Sequence, residues 1–452
     1  MDRAAALGSL GSIQSTLQKF DKAVELFKQS LEMFRAALGK DAKNLDIAST
    51  LGNIGWAYLD SKKPTEAIKH FKQSLSILQE LLGEKTNHLD IAAVLNNLGK
   101  AYLTLKQFDE GNKYLHQSLV MKRCVLGEKT NHLDIAATLT CLGTSSLNSG
   151  DFTTAIDYYD KALTMQRQVL GDDANYMYIA GNLLNLGVAN LGLAKFTNAI
   201  EYLEQALVMH RKVLGENTPH LDMAANLQNL GEAYRMLQKF DKAIGYYEQA
   251  VAMYREVLGY NAPDFNIAGI LMNLGMCYLN LKDPNKGAKR LEESLKVQER
   301  ISGVNSNNIQ YAMTLSNLAF AYKELREFAK STECLLKAKE IWRKIPGAES
   351  ANIIARVENG LQSIRTEQAQ PQTSKSTTTS TPFQAALADL KKMNDSQIAN
   401  FVKAKFRENG YELTGSSSTG QETWEKQGKE PINLKYLDFD QAAAILKKIY
   451  KN

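Results

Sequence analysis

Residues 46–89 read DIASTLGNIGWAYLDSKKPTEAIKHFKQSLSILQELLGEKTNHL, and residues 90–133 repeat them as DIAAVLNNLGKAYLTLKQFDEGNKYLHQSLVMKRCVLGEKTNHL. The two stretches align without a gap at a spacing of 44 residues. A fixed period of about 20 to 50 residues marks an array in which each unit buries its apolar face on the next. Working outward, one column of the period holds Leu7, Leu51, Leu95, Leu139, Leu183, Leu227, Leu271 and Leu315. Three residues on stand Leu10, Ile54, Leu98, Leu142, Leu186, Leu230, Leu274 and Leu318, each followed by Gly except at Ala319. A second glycine column runs from Gly39 and Gly83 to Gly347.

Within a unit the apolar residues step by three and four, first through Leu51, Ile54 and Tyr58, then through Ala67, Phe71, Ser74, Leu75 and Leu78. That spacing predicts two amphipathic helices joined by a short turn around Ser61–Pro64. Asp21, Thr65, Asp109, Thr153, Thr197, Asp241 and Asn285 recur where the second helix begins and are expected to cap it. Asp2, Asp46, Asp90, Asp134 and Asp222 recur at the start of the first helix, where a carboxylate favours the positive dipole end. The column of Gly39 and Gly83 is expected to close the second helix. Glycine inside the first helix costs roughly 1 kcal/mol relative to Ala. Its retention implies close packing, with the small Ala23, Ala67, Ala155, Ala199 and Ala243 expected opposite.

The order Leu51, Ile54-Gly55, Tyr58, Ala67, Phe71, Ser74 resembles the tetratricopeptide pattern over about residues 2 to 365. The added segment from Leu82 to Ile91 is similar to the elongated repeats of kinesin light chain and nephrocystin-3-like proteins. The resemblance implies an all-α fold, a right-handed α-solenoid whose first helices line a concave groove. The helix-ending Pro of the 34-residue unit is absent, so the second helix is expected to run on to the Leu-Gly pair. The chain opens on its first repeat, without the heptad coiled coil that joins a kinesin light chain to its heavy chain, so a motor-cargo role is not expected.

The expected organisation is eight 44-residue hairpins over 1–348, a capping helix over 349–367, a Ser/Thr/Gln linker over 368–382 and a small, mostly helical domain over 383–452. In that last part helices are expected at Phe383–Met393, Ile398–Phe406 and Phe439–Tyr450, with short strands at Thr423–Trp424 and Ile432–Leu434.

Composition bounds the function. The balance of 54 Lys and Arg against 49 Asp and Glu is spread along the chain, which argues against a nucleic-acid partner. No stretch approaches the length of a membrane span, and Met1–Leu10 does not read as a leader. Cys124, Cys141, Cys277 and Cys334 show no pairing or zinc spacing and read as reduced cysteines of a cytoplasmic protein. His88, His132 and His220 share one loop column, 44 residues or a multiple of it apart, so they do not converge on a metal. His70, His116 and His210 are expected on second helices, solvated or partly packed. The C-terminal part contains neither His nor Cys; Asp438 and Asp440 read as a helix cap, and Gly415–Gly420 lacks the Gly-Lys-Ser/Thr ending of a phosphate loop. No enzyme activity, cofactor, metal or small-molecule substrate is expected.

The remaining signal is a column of Asn53, Asn97, Asn185, Asn229, Asn273 and Asn317, broken by Ser9 and Cys141. A helix interior has no liking for Asn, but an amide can pair with both a peptide N–H and a C=O. Helices about 8 to 10 Å apart, against about 3.3 Å per residue of extended chain, would set one Asn at every third ligand residue. Kinesin light chain-like proteins are similar in using groove Asn residues in this manner; the competing reading is that these amides link neighbouring helices. Beside the column the side chains vary, as Trp56, Lys100, Val188, Glu232, Met276 and Phe320, and as Leu59, Leu103, Leu191, Arg235, Leu279 and Lys323. Lys100, Arg235 and Lys323 balance Asp60, Glu232 and Glu324, which disfavours phosphate, and the Lys pairs of carboxylate-clamp domains are missing. The expected function is a protein–protein interaction scaffold or adaptor binding peptide or helical segments, with Asn53, Asn97, Asn185, Asn229, Asn273, Asn317, Trp56, Lys100, Glu232, Met276 and Phe320 as the groove. The alternative is a regulatory repeat platform for an effector or nucleic-acid-binding activity in 383–452.

Overall fold

A computed structural model describes residues 1–369 except 40, 84–85, 172–176, 217, 303–307 and 346–347, together with 395–408, 412–416, 422–425, 432–434, 442 and 445. The repeats fold as helical hairpins: α1 (Asp2–Thr16) with α2 (Phe20–Leu38), α3 (Leu45–Asp60) with α4 (Pro64–Leu82), α5 (Leu89–Thr104) with α6 (Phe108–Leu126), and α7 (Leu133–Asn148) with α8 (Phe152–Leu170). They continue as α9 (Met177–Gly192) with α10 (Phe196–Leu214), α11 (Leu221–Met236) with α12 (Phe240–Leu258), α13 (Phe265–Asn280) with α14 (Pro284–Ser302), and α15 (Ile309–Glu324) with α16 (Phe328–Lys344). Each second helix also packs on the first helix of the next hairpin, which makes the array an α-solenoid. α17 (Ala348–Ala369) follows it.

The chain divides into two compact units, Met1–Leu361 and Gln362–Asn452. In the second, the described residues form α18 (Asp395–Glu408) and an antiparallel sheet of β1 (Glu412–Ser416), β2 (Glu422–Glu425) and β3 (Ile432–Leu434), in that order. Trp424 of β2 pairs with Leu413 and with Ile432. Two strands stand where sequence placed them; β1 is new, in a stretch whose Gly and Ser content hid it. α17 runs to Ala369, two residues into the linker expected at 368–382; the rest of that linker, the helices at Phe383–Met393 and most of Phe439–Tyr450, Asp438, Asp440 and most of Gly415–Gly420 lie outside the described residues.

Helix ends correct two readings. Asp21, Asp109 and Asp241 lie inside the first turn of their helices; the capping positions are Lys19, Gln107 and Lys239, whose side chains make no cap. Among the described second helices Asp151 and Asp283 cap with their side chains, accepting from the Thr154 and Lys286 N–H groups. In the first helices Asp46, Asp90, Asp134 and Asp222 lie in the first turn as expected, and the caps stand two positions before them. Asn44, Asp264 and Asn308 accept the N–H two residues on, and so do His88, His132 and His220 through Nδ1. These three histidines are helix caps, with the ring proton on Nε2, rather than plain loop-surface residues. The glycine stops hold, with Gly39, Gly83, Gly127, Gly171, Gly215 and Gly259 at positive φ after the last helical turn.

The glycine inside seven of the eight first helices has a more specific cause than facing alanines. A Cβ on Gly55 would lie 2.7 Å from the Phe71 ring, and one on Gly231 would lie 2.6 Å from the Tyr247 ring. A large, fully buried side chain of the second helix lies over the bare backbone. Serines staple several hairpins further: Ser30, Ser74, Ser118 and Ser294 each donate 2.7 Å bonds to the carbonyls of Ala4, Ala48, Ala92 and Ala268.

Candidate functional site

Two amide-bearing columns run along the first helices, three residues apart. The inner one, Thr138, Asn182, Asn226 and Thr314, is buried against the second helix of the preceding hairpin. There Lys122 donates to Thr138 at 2.9 Å, Asn182 to Gln166 at 2.9 Å and Gln298 to Thr314 at 2.9 Å. Burial lowers the affinity of the Lys122 ammonium for its proton, with Asp134 opposing. His210 and Asn226 stand one hairpin beyond Gln166 and Asn182, both fully buried but without a hydrogen bond among the described residues.

The outer column is the Asn ladder. Asn53 is exposed and Asn97, Asn185, Asn229, Asn273 and Asn317 are half-buried. Among the described residues, five of these six side chains make no hydrogen bond. Asn273 alone reaches a neighbouring repeat, donating to Tyr247 Oη at 3.3 Å and Glu232 Oε2 at 3.4 Å. Successive first helices touch along much of the array, and Asn53 and Asn97 line one cleft of about 350 Å³.

At the ladder's centre Glu232 collects three donors. Arg235 Nε at 2.9 Å and Tyr247 Oη at 2.7 Å both reach Oε2, Asn273 adds its longer bond, and Arg235 also pairs with Oε1 at 2.5 Å. Burial disfavours the charged carboxylate, but the bonds from Arg235 and Tyr247 and the Arg235 charge outweigh it and hold Glu232 below the usual carboxylate value. Burial and the Glu232 charge push the Tyr247 phenol up. Glu232 and Arg235 thus neutralise each other. Cys141, which breaks the ladder, has its thiol pushed up by burial despite Lys100 and Lys122, the opposite of an activated nucleophile.

Apolar surface gathers toward both ends. Trp56 is exposed in a cleft of about 510 Å³ with Ser12, Phe20, Phe27, Asn53 and Asp60. A cleft of about 890 Å³ is lined by Met276, Met313, Asn317 and Phe320 together with Trp342, Ile353 and Arg356. Asp60 has its carboxyl pushed up by burial, with Lys100 partly opposing. Lys100 is half-buried. Two hollows of about 480 and 540 Å³ lie mostly among second helices, away from the ladder.

Sequence reasoning missed Tyr247, Met313 and the α17 contributions of Ile353 and Arg356. Met313 carried a readable signal, since its column is otherwise Ala5, Ser49, Ala93, Ala137, Gly181, Ala225 and Gly269. In the same column a Cβ on Gly181 would meet nothing within 4 Å among the described residues. Among them too, no cluster of His, Cys, Asp or Glu could hold a metal ion, and no helix is long and apolar enough to cross a membrane.

Two sequence profiles described as "Tetratricopeptide repeat" match residues 2–80, 46–123 and 178–256, and residues 135–173 and 312–351. Together they cover more than half of the chain, which belongs to the tetratricopeptide repeat family. Its 44-residue unit is an elongated form of that repeat. A signal transduction ATPase with numerous domains and a tetratricopeptide repeat sensor, from Pyrococcus horikoshii, is similar at TM-score 0.56 and 14% identity, over 80% of this chain and 50% of that one. The apo form of RapI is similar at TM-score 0.55 and 13% identity, over 80% and 91%. BtubC (BKLC) from P. vanneervenii is similar at TM-score 0.44 and 20% identity, over 53% and 94%. No curated protein matches the chain. The repeats are a non-catalytic fold that supports protein interaction.

Proposed function

We propose that the chain is a cytoplasmic adaptor whose Asn ladder binds an extended or helical segment of another protein. The observation that carries this reading is the state of the ladder amides. Five of the six are unpaired among the described residues, on a face open to solvent, whereas Asn182, three residues from Asn185, is buried and matched by Gln166 and Thr140. An unpaired half-buried amide can offer a donor and an acceptor to a ligand backbone at little cost in reorganisation. Gly181 supports the same reading, since a mid-helix glycine over open space gives a ligand backbone room to approach.

Selectivity then comes from the variable column. Trp56 and the Met276–Met313–Phe320 cleft take apolar anchors, and Lys100 and Glu232 sort polar ones. The balance of charge along this face favours a polypeptide over a phosphate backbone. In this reading residues 1–348 are the recognition module and 383–452 bring a second partner or a localisation cue. The test replaces Asn185, Asn229 and Asn273 together by Ala and titrates a partner captured by residues 1–368. A loss of at least about tenfold in affinity, roughly 1.4 kcal/mol, with helicity unchanged is expected. Unchanged affinity in a folded triple variant overturns the ladder as a binding element.

A further inference from the structure

Every first helix after α1 offers one stripe to the hairpin before it. On α3 that stripe is Ile47, Leu51, Ile54 and Ala57, which share a buried cluster with Ala23, Val24, Phe27 and Leu31 of α2. The matching stripe of α1 is Arg3, Ala6, Leu7, Leu10, Ile13, Gln14 and Leu17, and no described element covers it. Leu10 is 42%, Ile13 55% and Leu17 56% exposed.

The stripe departs from the repeat at Ile13. Its column otherwise holds Ala57, Ala101, Ser145, Ala189, Ala233, Cys277 and Ala321, all small and all fully buried. A regular hairpin stacked on α1 would have to accommodate an isoleucine where it elsewhere meets a residue of at most two side-chain heavy atoms, and such overpacking is destabilising. The covering element therefore differs from another repeat. Nor has the helix simply turned polar at an end. Its ladder side carries Ser9, Ser12 and Thr16, while Leu7, Leu10, Ile13 and Leu17 stay together on the uncovered side.

We infer that this stripe is a self-association surface, on which α1 of a second copy of the chain packs antiparallel about a twofold axis. The positions 3, 6/7, 10, 13/14 and 17 alternate by three and four, the spacing of a two-helix seam. One surface serving both copies is what a twofold contact requires. The stripe's single charge, Arg3, stands at its end, so nothing repels along the middle. Antiparallel pairing sets Asp2 of one copy near Lys19 of the other, and both side chains are exposed. A 15-residue helix is about 22 Å long. One such pair falls at the small end of specific interfaces, so the dimer forms at micromolar concentration and above.

The inference is independent of the ladder, which lies on another side of the same helices. The test is sedimentation equilibrium on the full chain from roughly 1 to 200 μM, a range that brackets weak association. The apparent mass should rise toward two copies. Leu10→Glu with Ile13→Glu should hold one copy throughout with helicity unchanged, because both side chains are about half exposed in the single copy. Asp2→Lys should weaken the dimer a few-fold at low salt, and adding Lys19→Asp should restore it. A single copy at every concentration for the unaltered chain, or a dimer untouched by the Leu10/Ile13 change, overturns the inference.

Discussion

On α11, Asn226 and Asn229 stand three residues apart and live in opposite surroundings, as do Asn182 and Asn185 on α9. The inner pair is sealed between hairpins; the outer pair is half-open on the ladder. The same amide is packed between hairpins in one place and, in the proposed reading, left free for a ligand in the other. Residue type does not separate the two roles. What separates them is whether a side chain of the preceding second helix covers the position. The facing column of the second helices reads Phe34, Leu78, Lys122, Gln166, His210, Tyr254 and Gln298, against Thr50, Val94, Thr138, Asn182, Asn226, Ile270 and Thr314. Polar faces polar at four of these seven junctions, three of them with a hydrogen bond across and His210 with Asn226 without one, and an apolar residue enters at the others. Mismatched neighbours would leave a buried polar group without a partner, and that disfavours stacking in the wrong order.

The largest expected effect breaks one such pair. Gln166→Leu removes the 2.9 Å partner of the fully buried Asn182 amide and should cost about 1 to 3 kcal/mol. Asn182 keeps the bond from Thr140 at 3.0 Å, which places the expected cost toward the lower half of that range. Adding Asn182→Val recreates the Leu78 and Val94 combination of an earlier junction and should recover most of the loss. Denaturant midpoints of the single and double variants measure the coupling. A double variant no more stable than Gln166→Leu alone would show that the pair does not act as a unit.

A smaller effect comes from pH at the next junction. Burial holds the His210 imidazole below its ordinary value of 6.5, aided by His220 and opposed by Asp222. Below about pH 6.5 the unfolded chain therefore takes up a proton that the folded chain resists, so stability is full above that pH and declines as pH falls through and below it. His210→Gln should flatten this decline, because Gln166 shows that glutamine at this position can pair with the facing Asn. Thermal midpoints from pH 7.5 to 5 compare the two chains. Parallel curves would mean that His210 titrates no differently in the fold.

The histidines also show what was legible and why. Eight in-register copies made the hairpins readable, since any apolar column repeated that often exceeds chance. The stops at Gly39 and its successors were readable because glycine at positive φ has few substitutes. The starts were not. Asp46, Asp90, Asp134 and Asp222 have the residue type expected of caps, whereas the caps are the Asn or His two positions earlier. The ladder was readable as a column of one residue type. The inner column was not, because Thr, Val, Asn and Ile at one position look like noise until the mate on another helix is set beside each. Met313 and the α17 side chains escaped for a related reason, since each departs from its column only where the array ends.

The smallest effect is the sharpest use of the comparison. Replacing Asn185, Asn229 and Asn273 by Ala removes only the bonds of Asn273, which at 3.3 and 3.4 Å are long and weak. Alanine is also the better helix former, by up to about 0.7 kcal/mol at each site. The two terms oppose each other, so the thermal midpoint of the unliganded triple variant should stay within roughly 2 °C of the unaltered chain, less than the shift from about 1 kcal/mol. Inner-column changes should thus lower stability, and outer-column changes should spare it while weakening partner binding. A triple variant that unfolds as readily as Gln166→Leu would give the two columns one structural role, and the free amides would then need an explanation inside the fold.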